Sequence, residues 1–129
     1  MIFASRFSLL ALALAVSAPG IALAAPPPQG LFMDNCSACH QATGKGIKGA
    51  FPALAGSPLV QGEASIVVST VLNGRAGMPA FKDDLSDADL AAILTYVRSS
   101  WGNKAKPVTA ADVAKVRKAP PSARGLQAH

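Results

Sequence analysis

The stretch Cys36-Ser37-Ala38-Cys39-His40 places two thiols and an imidazole within five residues. Positions i, i+3 and i+4 of a helix share one face, so the three side chains are expected to point the same way. Thiols at that spacing can form thioether bonds to the two vinyl groups on one edge of a porphyrin. The imidazole then stands beneath the iron as its proximal ligand. A cysteine pair followed at once by histidine is the attachment signature of a c-type haem. The pair has other uses: a thioredoxin-like redox couple, half of a zinc site, or a plain disulfide. A zinc site needs four ligands, yet there is no second cysteine pair and the one other histidine is His129, the last residue. A thioredoxin-like couple belongs in an alternating strand–helix pattern, which this sequence lacks. Haem attachment is the expected chemistry.

An iron that only passes electrons is best held from both sides, so that reduction changes little geometry. Met33, Met78 and His129 are the candidates for the second axial position, unless it stays open. Met33 lies three residues before Cys36, on the side of the porphyrin that His40 occupies, and His129 ends the chain. Met78 is far enough along to arrive from the opposite face. Its loop is stiffened by Pro79 and tightened by Gly74 and Gly77. The other reading of Met78 is ordinary packing, since methionine fills gaps well. Arg75, in the same loop, either neutralises a haem propionate or is a solvated surface arginine.

Helices must position these groups. Residues 29–40 read as a first helix carrying the motif, with Leu31 and Phe32 as its apolar contacts. Three glycines between Gln41 and Gly49 then say loop. Residues 51–56 are rich in turn formers. Residues 62–72 read as a second helix with Ile66, Val67, Val71 and Leu72 facing inward, although the β-branched content leaves a strand open. Residues 74–81 form another irregular loop. Ser86, with Asp89 three positions on, has the form of a capping box, and Leu90, Ile93, Leu94, Val97 and Trp101 follow at helical spacing before Gly102. Asp87 and Asp89 at the start of that helix and Arg98 near its end suit its dipole. Thr109 and Asp112 can cap a further short helix through Lys118, stopped by Pro120-Pro121. The pattern is all-α, with three or four helices joined by glycine- and proline-rich loops.

Residues 1–24 read as a secretory leader rather than part of the fold. Arg6 precedes an apolar run, and Ala22-Leu23-Ala24 has the small-x-small form of a cleavage site. An uncleaved anchor is the alternative, but the apolar core is short and Pro19-Gly20 interrupts it. Cleavage after Ala24 would leave 105 of the 129 residues, enough for one domain, and lower the net charge from +5 to +4. The expected organisation is the leader, a domain over residues 25–103, and a basic Ala/Pro-rich tail over 104–129. The positive charge is modest and no basic stripe alternates with aromatics, so nucleic acid is not an expected partner. No stable membrane anchor is expected after cleavage. The 50% hydrophobic content is inflated by the leader and by alanine. A domain this small buries little core, and a covalently held porphyrin would add apolar bulk.

The motif, the Met78-Pro79 loop and the later helix together closely resemble the class I monohaem cytochromes c, over nearly all of the chain after the leader. The resemblance implies a cytochrome c fold, helices packed round one covalent haem c with its edge exposed. It implies Cys36, Cys39 and His40 as the attachment and proximal residues and Met78 as distal ligand. It also implies that Pro52 lends its carbonyl to the proximal imidazole, although a simple turn would also explain that proline. Leu94 and Val97 should then meet Leu31 and Phe32. Pro28 stands where many members place a glycine, so the first helix should start late. Residues 101–113 resemble the ends of cytochrome subunits serving periplasmic dehydrogenases. The function implied is a periplasmic one-electron carrier, not an enzyme, taking electrons from a dehydrogenase and passing them to an oxidase or another cytochrome. Lys45, Lys48 and Lys82 flank the two ligand loops and would steer an acidic partner, or serve only for solubility. The alternatives are a permanent dehydrogenase subunit and a peroxidase-like haem enzyme or sensor with an open sixth position. The latter needs a distal acid–base group, for which Arg75 is the one nearby candidate.

Overall fold

A computed structural model describes residues 24–119. The leader expected over residues 1–24 falls almost wholly outside them, as do Pro120, Pro121 and His129. Among the described residues six helices follow in order: α1 (Pro28–Asn35), α2 (Ser37–His40), α3 (Pro58–Gln61), α4 (Ala64–Asn73), α5 (Asp87–Ser99) and α6 (Ala110–Lys118). No strand occurs among the described residues, only two isolated bridges, Ile47 with Phe51 and Arg75 with Met78. The fold is all-α, as the helical periodicity predicts.

Helix α1 opens at Pro28, the first-turn position where a missing N–H costs nothing. The helix expected over 29–40 is split in two. Cys36 leaves helical geometry, with φ −127° and ψ −31°, although its N–H still donates to the Phe32 carbonyl at 2.9 Å. The break re-aims the motif turn without ending the helical path. The single turn α3 was not foreseen. Ser57 caps it by accepting from the Val60 N–H, and Pro58 starts it, so local chemistry suffices for one turn.

Helix α4 forms despite its β-branched residues, because packing outweighs propensity. Its inner face is Val67, Val68 and Leu72, with Val71 half-buried beside them. Val68, fully buried, replaces Ile66 from the expected set. Gly74, at φ +72°, ends the helix, where a Cβ would come within 2.6 Å of the Met78 carbonyl oxygen.

Helix α5 is the centre of the molecule, packed on α1, α3, α4 and α6. Its buried residues are Leu90, Ala91, Ile93, Leu94, Val97 and Arg98. Ser86 caps it by accepting from the Asp89 N–H at 3.1 Å. The helix stops at Ser99, two residues before Trp101, which turns back at φ +53°. There the indole meets Phe32 and Tyr96 in a three-ring cluster of tilted and edge-to-face contacts, centroids 5.2 to 5.7 Å apart. This cluster joins α1 to the end of α5.

Arg98 does more than complement a dipole. It is buried and donates to the carbonyls of Val60 at 2.6 Å, Gly62 at 3.0 Å and Lys106 at 2.9 Å. Thr95 exchanges two hydrogen bonds with the backbone of Val108. Val108 and Val113 lie in the core, so residues 104–118 share the core of the preceding helices. Thr109 and Asp112 form a reciprocal capping box at the start of α6. Hydrogen bonds from Thr109 hold the Asp112 carboxyl below the usual carboxylate range. A depressed folded pKa gives stability above the ordinary value that is lost as pH falls through the depressed one. Amide protection in α6 should weaken on acidification before that of α5. Thr109→Ala should lower stability by about 1 kcal/mol and abolish this difference.

Candidate functional site

Cys36, Cys39 and His40 come together on one turn. The N–H groups of Cys39 and His40 donate to the Cys36 carbonyl at 3.3 and 3.0 Å. Both cysteines are free and half-buried. Burial, assisted by neighbouring Cys39, pushes the Cys36 thiol up to about 11, so it is protonated at neutral pH.

His40 is buried, and its Nδ1 lies 2.9 Å from the Pro52 carbonyl oxygen. With Nδ1–H donating to that carbonyl, Nε2 carries the free lone pair. This is the tautomer an iron ligand requires. The loop that delivers Pro52 is pinned by backbone. Gly46 N–H donates to the His40 carbonyl at 2.9 Å, and Ile47 and Phe51 exchange hydrogen bonds at 2.9 and 2.8 Å. The N–H groups of Leu54 and Ala55 both donate to the Gly44 carbonyl. Gly44 is buried under the Trp101 indole, whose Nε1 donates to the Ala42 carbonyl.

Asn103, missed in the sequence, secures the other end of this loop. Its buried side chain accepts from the Gly56 N–H at 2.8 Å and donates to the carbonyls of Leu54 and Val97. The one signal was its place just after Gly102, where a polar side chain often closes a helix end.

Arg75 and Met78 are brought together by backbone rather than side chains. Arg75 N–H donates to the Met78 carbonyl at 3.2 Å, and Met78 N–H donates back at 2.9 Å. This two-residue hairpin holds Ala76 at φ +51°. Such a conformation costs a Cβ-bearing residue about 1 kcal/mol. Ala76→Gly should therefore raise stability by roughly 0.5–1 kcal/mol in denaturant unfolding. Arg75 is exposed and Met78 half-buried. None of the described hydrogen bonds joins the Arg75–Met78 pair to the His40–Pro52 pair.

The residues fit a haem. Two free thiols share a turn with an imidazole whose Nε2 is uncommitted. Three large apolar side chains near the motif remain exposed: Met33 at 41%, Ile47 at 45% and Phe51 at 39%. Single exposed apolar residues are ordinary, but three around one motif mark apolar surface suited to a flat hydrophobic group. An open depression of about 440 Å³ lies beside the proximal loop, lined by Lys45, Lys48, Phe51 and Pro52 among others. Among the described residues no cluster of His, Cys, Asp and Glu offers a separate metal site, and no helix is long and apolar enough to cross a membrane.

Comparison with known proteins identifies the family. The family model described as cytochrome c oxidase, cbb3-type, subunit III matches residues 24–97. The chain is 35% identical over 107 residues to the cytochrome c subunit of a quinone alcohol dehydrogenase from Gluconacetobacter polyoxogenes, covering 73% of this chain and 23% of that subunit. It is 36% identical over 90 residues to the cbb3-type cytochrome c oxidase subunit CcoP of Azospirillum brasilense, covering 64% and 30%. A cytochrome c-552 of Thermus thermophilus is 31% identical over 118 residues, covering 76% and 79%. The chain thus spans about a quarter of the dehydrogenase subunit it matches but most of the length of a small cytochrome.

Proposed function

The chain belongs to the cytochrome c family, and from that premise we propose that it is a periplasmic one-electron carrier with His40 and Met78 as axial ligands. Membership brings the cofactor: one haem c, covalently attached through Cys36 and Cys39. When bound, the haem supplies a one-electron Fe(III)/Fe(II) couple.

The chain's own residues set the rest. His40 binds through Nε2, because its Nδ1–H is spent on the Pro52 carbonyl 2.9 Å away. That contact is the observation that carries the proposal. It fixes the tautomer and ring plane and raises the basicity of the ligating nitrogen. Met78 offers a weak thioether donor that favours ferrous iron and so raises the potential. Phe32, Leu72 and Leu94 belong to the buried core, and an apolar surround would disfavour the more highly charged oxidised state of the haem. Arg75, exposed and backbone-paired to Met78, is the residue we propose to meet a propionate.

The test is a visible spectrum of oxidised and reduced holoprotein beside a denaturing gel stained for haem. Colour that leaves the polypeptide on denaturation would refute covalent attachment. The donor is proposed to be a periplasmic dehydrogenase, and the acceptor an oxidase or another cytochrome. Lys45, Lys48 and Lys82 are exposed and would steer an acidic face. Transfer rates between purified partners should then fall severalfold from about 50 to about 200 mM salt. Flat rates would remove the lysines from docking. The likeness to a dehydrogenase cytochrome subunit supports a second reading, a permanent subunit, which co-purification of a catalytic chain would establish.

A further inference from the structure

The loop that carries Met78 has a narrow neck. It leaves α4 at Gly74 and returns where the Phe81 N–H donates to the Val71 carbonyl at 3.0 Å. Residues 81–85 then form a turn, in which the N–H groups of Asp84 and Leu85 both donate to the Phe81 carbonyl. Leu85 is buried in the core. Helix α6 packs on α4, which is one side of the neck, with Val113 fully buried. Its last turn reaches the other side. Arg117 Nε donates to Asp87 Oδ1 at 2.7 Å, Nη2 donates to the Leu85 carbonyl at 2.9 Å, and Nη1 donates to the Lys82 carbonyl. One guanidinium therefore binds three acceptors on the six-residue stretch following the loop. A planar fork with donors on three separate nitrogens is the group for such a task, and lysine, with its donors on one nitrogen, cannot span the same three acceptors. The ion pair is part-exposed, with 25% and 35% of the two side chains accessible, so charge alone contributes little. The geometry of the fork carries the effect.

We infer that Arg117 is a positioning residue for the axial methionine: it holds the return segment of the Met78 loop against α4 and keeps the thioether on the iron. The inference rests on the proposal that Met78 is the distal ligand. Loss of the fork frees residues 82–87, weakens the Phe81–Val71 neck and raises the fraction of time that Met78 is away. Exogenous ligand binding to a closed haem is limited by that fraction.

The experiment uses full-length haem-loaded protein, as wild type, Arg117→Gln and Ser57→Ala. Ser57→Ala removes the α3 cap and lowers global stability without touching the Met78 loop. The readouts are carbon monoxide association with ferrous protein, the far-red sulfur-to-iron charge-transfer absorbance of ferric protein, and amide exchange at Phe81. Arg117→Gln should speed carbon monoxide binding about tenfold, weaken the charge-transfer band and speed Phe81 exchange by a similar factor. Ser57→Ala should leave all three near wild type. Unchanged carbon monoxide binding in Arg117→Gln, or equal acceleration in both variants, overturns the inference. If wild type already binds carbon monoxide at once and lacks the band, the Met78 assignment itself has failed, and the inference with it.

Discussion

Replacing Met78 with alanine is expected to convert a closed haem protein into one that binds small ligands. The side chain is half-buried, none of the described hydrogen bonds uses its sulfur, and the hairpin with Arg75 is made entirely by backbone. The loop should therefore persist, and the loss should fall on the iron rather than the fold. Without the thioether, ferric iron loses a ligand that disfavoured it. The potential should drop by on the order of 0.2 V, a fraction of the ~0.8 V that axial ligation spans. Carbon monoxide should bind the reduced variant without a conformational delay. An unchanged potential together with unchanged carbon monoxide binding would sink the His40/Met78 assignment. Peroxide turnover by the wild type would instead favour the open-position alternative, which lacks a distal histidine to act as acid and base.

How far the sequence could be read follows from how local each cause is. The motif turn, the Ser86 cap and the Thr109–Asp112 box are decided within four or five residues, and the structure has all three. The Nδ1 contact of His40 spans twelve residues, and only the family resemblance pointed to Pro52. Long-range polar contacts were not legible. Arg98 looked like a residue complementing its own helix dipole, yet it holds carbonyls 36 and 38 positions back in the chain. Asn103 and Arg117 gave no signal in composition or periodicity. A side chain that fills its hydrogen bonds across the fold resembles any surface polar residue in one dimension. Residues 104–118 looked like a tail for the same reason. Val108 and Val113 are single apolar residues in a polar stretch, and only packing reveals that they complete the core. On α4 the apolar pattern gives the right period but the wrong phase, pointing to Ile66 where the structure buries Val68.

Gly46→Ala should be among the most damaging single-methyl changes in the described residues. Gly46 sits at φ +62°, and a Cβ there would lie 2.6 Å from the Pro52 carbonyl oxygen and against that of Phe51. Both are backbone atoms that cannot swing aside. The positive φ costs alanine about 1 kcal/mol, and displacing the part-buried Pro52 carbonyl from its hydrogen bond adds about 1–2 kcal/mol. A loss near ~3 kcal/mol would lower Tm by roughly 10–20 °C in a domain of this size. The displaced carbonyl is the acceptor for His40 Nδ1, so the damage should also reach the iron. Without that acceptor the imidazole is a weaker donor and turns more freely. The potential should rise by on the order of tens of mV, and the ferric resonance signature of the axial histidine should broaden. Pro52→Ala separates the two effects, because it keeps the carbonyl and removes only the ring. It should cost under about 1 kcal/mol and leave the potential in place. Should Gly46→Ala lower Tm while the haem signals stay as in wild type, the proximal loop would be a structural turn and not the support of the histidine ligand.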